Sequence, residues 1–177
     1  MKNRVILVDQ NDKPLGTMEK MEAHVKGALH RAFSIFIFNS KGEVLLQKRA
    51  ADKYHSARLW TNTCCSHPMP EEDTTVAAHR RLNEEMKLSA DLVPLFKFKY
   101  FASFDNNLNE HEMDHVYYGI SDEIPQPDPT EVEEWKYENI SFIQEDIINN
   151  PDLYTEWFKI CFDDLVASIP ENQLKSF

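Results

Sequence analysis

The sequence predicts an α+β domain in which a mixed β-sheet is flanked by helices. Three observations predict it. Short apolar or alternating runs recur along the chain, two pairs of them joined by turn-rich segments. Helical spacing of apolar residues is confined to a few separate stretches. Strands and helices interleave without the regular strand–helix–strand repeat of a parallel fold, and there is no internal repeat. The 177 residues match one ordinary domain, read here as spanning 1–177, and a 42% hydrophobic content can bury a substantial core.

In order, Val5 to Val8 reads as a first strand and residues 10–16 as a turn, after which Thr17 to Val25 is expected to be helical. Ala32 to Phe38 and Glu43 to Lys48 read as a hairpin about Asn39-Ser40-Lys41-Gly42. Residues 50–70 are irregular, yet carry Trp60, two adjacent cysteines and two histidines, the cargo of a functional loop. Thr74 to Lys87 is a helix with Val76, His79, Leu82 and Met86 spaced for one face, and Arg81 shares a flank with Glu85. Leu95 to Phe104 and Glu112 to Ile120 form a second hairpin about DNNLN. The acidic stretch 122–134 reads as a solvated loop and Trp135 to Phe142 as a strand. Asn150-Pro151 then starts a closing helix striped with Leu153, Trp157, Phe158, Cys161, Leu165 and Val166.

Composition excludes several classes of function. Thirty acidic against 19 basic side chains give a net charge of −11, so neither nucleic acid nor an anionic membrane is an expected partner, and any anionic ligand must be met by locally clustered cations. Four glycines and no Walker or dinucleotide fingerprint argue against a glycine-rich phosphate cradle. Three cysteines, Cys64 and Cys65 adjacent, do not make a disulfide framework, and no run reaches spanning length; a cytoplasmic protein is expected.

Imidazoles and carboxylates recur in three segments: His24 with His30, Cys65-Ser66-His67, and Glu110-His111-Glu112. On a strand, Glu110 and Glu112 project to one face and His111 to the other. Joined by His24, His30 and His67, those carboxylates would make a mixed nitrogen and oxygen site acceptable to zinc, manganese or magnesium. Taken singly, the same residues read as a helix-surface histidine and a solvated strand face. A structural zinc site through Cys64, Cys65 and His67 is disfavoured, because adjacent cysteines do not readily fill one tetrahedron.

The run of segments EKMEAH, LHRAFS, LLQKRA, LWTNTCCSHP, RRLNEE, FKY and EHE, followed by a tryptophan-bearing last helix, resembles type 1 isopentenyl-diphosphate isomerase from Val5 to about Val166. The resemblance implies a Nudix-like fold. The Nudix pattern can be laid on Ser66, Glu72, Arg80, Arg81, Leu82, Glu84, Glu85 and Leu88, but Ser66 and Lys87 stand at its glycine positions, and Arg81 replaces a carboxylate that the hydrolases use to gather magnesium. An added guanidinium suits an enzyme that holds a diphosphate without cleaving it.

The resemblance further implies a monomer acting on a small prenyl diphosphate, with Cys65 and Glu112 as proton carriers on opposite faces of the substrate. Tyr100 would assist Glu112 in protonating the alkene, Cys65 would act as a thiolate with His67 helping to lower its pKa, and Trp157 would face the cationic intermediate. It implies diphosphate binding by Lys20, Arg49, Lys53 and Arg81, a bridging Mg2+ at Glu85, and a second divalent ion, Mn2+, Mg2+ or Zn2+, at His24, His30, His67, Glu110 and Glu112. Alternatives from other classes are a Nudix diphosphohydrolase and a metal- or partner-binding module without turnover. Ser34 and Asn62 are expected to line the pocket, Cys64 and Cys161 to pack in the core, and His55, His79 and His115 carry no assigned role.

Overall fold

The computed structural model describes residues 3–104 and 106–170. Strands β1 (Arg4–Val8) and β2 (Pro14–Glu19) pair antiparallel. Asp9 shapes their turn by accepting from the amides of Asn11 and Lys13 at 2.8 and 2.9 Å. The helix expected from Thr17 starts later, because Thr17 to Glu19 are held in the ladder opposite Ile6, Val5 and Arg4. Helix α1 is Lys20–Lys26, capped by the Glu19 side chain on the Glu22 amide and closed by Gly27 at φ 60.

Strands β3 (His30–Phe38) and β4 (Val44–Arg49) meet only at Phe38 and Val44, so the expected hairpin opens instead of zipping. Each strand finds longer partners. β3 runs parallel to β8 (Asn109–Ile120) from His30 opposite Glu112 to Phe38 opposite Ile120, and takes β6 (Cys64–Ser66) on its other edge. β4 pairs antiparallel with β9 (Val132–Glu138) and with the short β5 (Trp60–Thr61). β7 (Val93–Ser103) returns against β8 as the second expected hairpin; Asp105 of its turn lies outside the described residues.

The apolar run of β3 reflects burial on both faces. Phe33, Ile35 and Ile37 pack against Ala77, Ala78, Leu82 and Met86 of α2 (Thr74–Met86), whereas Phe36 and Phe38 join Trp157, Phe158, Phe162 and Leu165 of α4 (Glu156–Ser168). Leu82 and Met86 take their expected inward places, but Val76 and His79 face solvent, because the small Ala77 and Ala78 let the helix approach the sheet on a neighbouring stripe.

The chain between β9 and α4 also departs from expectation. The strand ends at Glu138, and Ile140 to Phe142 open helix α3 (Ile140–Asn149), whose inward residue is Ile143. A short apolar run fits strand and helix alike, and here Asn139 stands extended ahead of the helix as its N-cap. Asn150-Pro151 starts only a 3-10 turn, so the last helix begins at Glu156 and Leu153 stays exposed. No helix among the described residues is long and apolar enough to cross a membrane.

Candidate active site

Alternation along β8 sends Glu110, Glu112 and Asp114 to the same face of the sheet, and Tyr100 stands opposite Glu112 on β7. His30 is the register partner of Glu112 on β3, His67 follows β6, and His24 enters from α1, its ring Nδ1 3.1 Å from the Asn109 carbonyl oxygen. One ligand atom each from His24, His30, His67 and Glu112 lies within 4.8 Å of the others. Glu112 Oε1 is 2.9 Å from His67 Nε2 and 3.4 Å from His30 Nε2. His24 Nε2 is buried with no hydrogen-bond partner among the described residues. His24 is therefore buried and inward-facing, not on the helix surface, and an unshared ring nitrogen beside an imidazole-rich cluster fits a divalent metal ion.

Charge in the cluster is uneven. Burial depresses His24 to about 4 and His67 to about 3. For His30 burial works the same way, but the hydrogen bond and charge of Glu112 outweigh it and raise the pKa. Burial would raise Glu112, yet the bonds from His30 and His67 hold its carboxyl well below the usual range. Glu110 is pushed up to about 8 by burial and then by the neighbouring Glu112 charge. The Tyr100 hydroxyl donates to this pair, 2.6 Å from Glu112 Oε2 and 3.1 Å from Glu110 Oε2. Glu110 stands outside the group of four, its Oε1 3.0 Å from His55 Nε2.

The adjacent cysteines divide by the same alternation. Cys64 packs toward α2, and Cys65 faces a cavity of about 120 Å³ that Glu110, Glu112, Tyr100 and Trp157 also line. The expected thiolate is not the resting form of Cys65 in this chain: burial pushes the thiol up to about 12, and Arg49, whose Nη1 is 4.0 Å from Sγ, only partly opposes it. Trp157 donates its indole N–H to Asn62 Oδ1 at 3.1 Å, while the Arg49 guanidinium lies 5.3 Å from its ring. Asn62 does not line the cavity as expected. It braces the chain behind it, its amide bonded to the Cys64 and Ile35 carbonyls. Ser34 does reach the cavity, donating to Asp114 at 2.7 Å.

Lys20, Arg49, Lys53 and Arg81 line this cavity too, with Glu85 buried beside them. Arg81 pairs with Glu85, with Glu84 at 2.8 Å and with Glu131 at 3.2 Å, and Lys53 pairs with Glu131. The Nε atoms of Arg49 and Arg81 are buried with no acceptor among the described residues, as suits groups kept for an anion. Several residues of the site escaped the sequence reading, among them Asp114, Glu131 and His55. Glu131 lies in a stretch whose composition reads as solvated, and it is the shared partner of two of these cations. His55 sits in an irregular loop where no periodicity marks a facing side.

Residues 28–161 match the NUDIX domain family. The chain is 53% identical to an isopentenyl-diphosphate Delta-isomerase of Pectobacterium atrosepticum over 94% of its own length and 91% of that protein. It is 48% identical to isopentenyl-diphosphate Delta-isomerase 1 of Aromatoleum aromaticum, with 99% of each chain covered. The fold is similar to the crystal structure of DR0079 from Deinococcus radiodurans, with a TM-score of 0.75 at 17% identity over 91% of this chain and 98% of that one. A MutT protein from Methanosarcina mazei gives 0.63 at 18% identity over 81% and 95%. Those distant structures share the architecture, whereas the match to the isomerases spans nearly the whole chain at about half identity: the chain belongs to the isopentenyl-diphosphate Delta-isomerase family and is built on a NUDIX domain.

Proposed function

We propose that the protein converts isopentenyl diphosphate to dimethylallyl diphosphate, adding a proton to the terminal methylene carbon and removing one from the carbon next to the oxygen-bearing methylene. The carrying observation is that one cavity holds two kinds of proton carrier, the Cys65 thiol and the hydrogen-bonded Tyr100–Glu112 pair, together with a group of cations. Because the reaction is reversible, each carrier is the acid in one direction and the base in the other. Burial keeps water from trapping the tertiary cation between the two transfers, and the face of Trp157 offers that cation electron density.

Arg81, Lys53, Arg49 and Lys20 hold the diphosphate, and Arg81 leaves its carboxylate partners to fork onto phosphate oxygens. Glu85 suits Mg2+, which binds through one or two carboxylates plus substrate phosphates. His24, His30, His67 and Glu112 would hold a second divalent ion, with Glu110 beside them, and three imidazoles favour zinc or manganese over magnesium there. Such an ion supplies positive charge that fixes the Glu112 carboxyl and makes it a better proton donor. A monomer is enough to supply all these groups, and three free thiols at Cys64, Cys65 and Cys161 support a cytoplasmic protein.

Proton NMR of the metal-replete protein with isopentenyl diphosphate and Mg2+ in deuterated water tests the reading. Dimethylallyl diphosphate bearing deuterium in its new methyl group is expected. Released phosphate or pyrophosphate would replace the isomerase with a hydrolase, and an unchanged substrate would refute both.

A further inference from the structure

We infer that Glu131 is a positioning residue of the diphosphate site: an internal anion that holds Lys53 and Arg81 while the cavity is empty and yields them to the arriving diphosphate. The inference rests on the isomerase reading above and deepens it. Oε2 of Glu131 accepts from Lys53 Nζ, and Oε1 accepts from Arg81 Nη2 at 3.2 Å. Its two oxygens thus meet two of the cavity's cations much as a pair of phosphate oxygens would. Burial would raise the Glu131 pKa, yet Lys53 and Arg81 hold it below the ordinary 4.5, so the carboxyl is charged at neutral pH. Such an anion keeps two long, flexible cations aimed into the cavity, where they would otherwise repel one another and the neighbouring Arg49 and Lys20. It also stands in the ligand's way, because its charge repels a diphosphate and its bonds occupy donors that the diphosphate needs.

The segment that carries Glu131 is fastened to both cations' own elements, so the side chain alone has to move. The amides of Gln126 and Asp128 donate to the Met86 and Glu85 carbonyls at 2.9 and 2.8 Å, closing the C-terminal end of α2, the helix of Arg81. The Glu131 amide donates to the Asp128 carbonyl, and its own carbonyl accepts from the Ala50 amide, each at 3.0 Å, which ties it to the loop of Lys53. Room for the displaced carboxylate lies alongside. Glu131 also lines a second cavity, of about 490 Å³, whose wall holds Arg4 and Arg80 besides Glu84. Rotation about the Glu131 side-chain bonds is enough to carry the carboxylate from one cavity toward the other. Because substrate and product bear the same diphosphate, the competition weakens both alike: it raises KM, leaves the chemical step untouched and helps the product to leave.

The test uses the metal-loaded chain and the variant E131Q, which keeps the shape of the side chain and loses its charge. Calorimetric titration with inorganic pyrophosphate, without added Mg2+, should give a Kd roughly 2- to 30-fold lower in E131Q than in the wild type, the range that two part-buried ion pairs would oppose. The gap should shrink as salt is added. KM for isopentenyl diphosphate should fall as well, with kcat no higher than that of the wild type. E131D, which keeps the charge, should bind pyrophosphate more nearly as the wild type does. Equal or weaker pyrophosphate binding in E131Q, a gap that widens with salt, or the same tightening in E131D would each overturn the assignment. If E131Q does not fold, E131A reads the same loss of charge. A wild type that does not isomerise would sink the functional reading, whereas the pyrophosphate titration judges the role of Glu131 independently.

Discussion

Replacing Tyr100 by Phe removes one oxygen and little else. The ring is 6% exposed and stacks on Phe98 at 5.5 Å and 23°, contacts that Phe keeps, so the fold should survive. What is lost is the donor 2.6 Å from Glu112 Oε2, at a buried carboxyl. A hydrogen bond to a charged group contributes about 1.5–3 kcal/mol. At about 1.4 kcal/mol per decade, Y100F should therefore lower kcat about 10- to 100-fold if that bond is stronger in the transition state than in the ground state. The initial rate of deuterated dimethylallyl diphosphate formation, followed by proton NMR at saturating substrate, measures it. A Y100F enzyme with the wild-type kcat would refute the argument that Tyr100 sets the proton affinity of Glu112. A loss confined to KM would make Tyr100 a substrate contact.

Other expectations follow from the same geometry. C65A should retain the fold, since Cys65 is a small side chain on a short strand, and should lose roughly 10²- to 10⁴-fold in kcat; a near-wild-type rate would remove the thiol from the proton path. R81A removes a cation from the diphosphate pocket and leaves Glu85 without its ion-pair partner, while Glu84 keeps Arg80 and Glu131 keeps Lys53, so KM should rise more than kcat falls, and steady-state kinetics showing unchanged KM with lost turnover would contradict its binding role. Away from the cavity, the Arg80 fork on Glu72, at 2.7 and 2.8 Å, lowers the Glu72 pKa from its ordinary 4.5. Its stabilisation is complete above that value and is lost as pH falls through the lower, folded-state pKa. Urea unfolding should find E72Q less stable than wild type by about 1 kcal/mol at pH 7, the gap closing in acid; a gap that widened in acid would reverse the sign of the argument.

The chemistry of the site was legible in the sequence wherever it rides on a periodic element. Strand alternation alone puts Glu110 and Glu112 on one face and separates Cys65 from Cys64, and both separations hold. Helical spacing set Arg81 and Glu85 side by side. What stayed hidden depends on pairing across the fold. Nothing in Ile140 to Phe142 tells a helix start from a strand end, and only the sheet order shows why the β3–β4 hairpin opens. His55 sits in a loop with no period, and Glu131 is one acid among many until Lys53 and Arg81 are seen against it. The protonated state of Cys65 is a property of burial, which its neighbours in sequence do not reveal.

The four clustered ligands come from four places: α1, β3, the residue after β6, and β8. His30 and Glu112 are neighbours only because β3 and β8 run parallel, a pairing between distant parts of the chain that forms slowly because a long loop must close first. An ion added to a nascent chain finds no ready half of the site to grip, so its capture should report the closing of the sheet, one of the last events of folding. The same burial works in reverse. Once held, the ion is gripped by elements that the finished sheet keeps in register, and its exchange with a chelator should be slow, quickening under conditions that loosen the sheet.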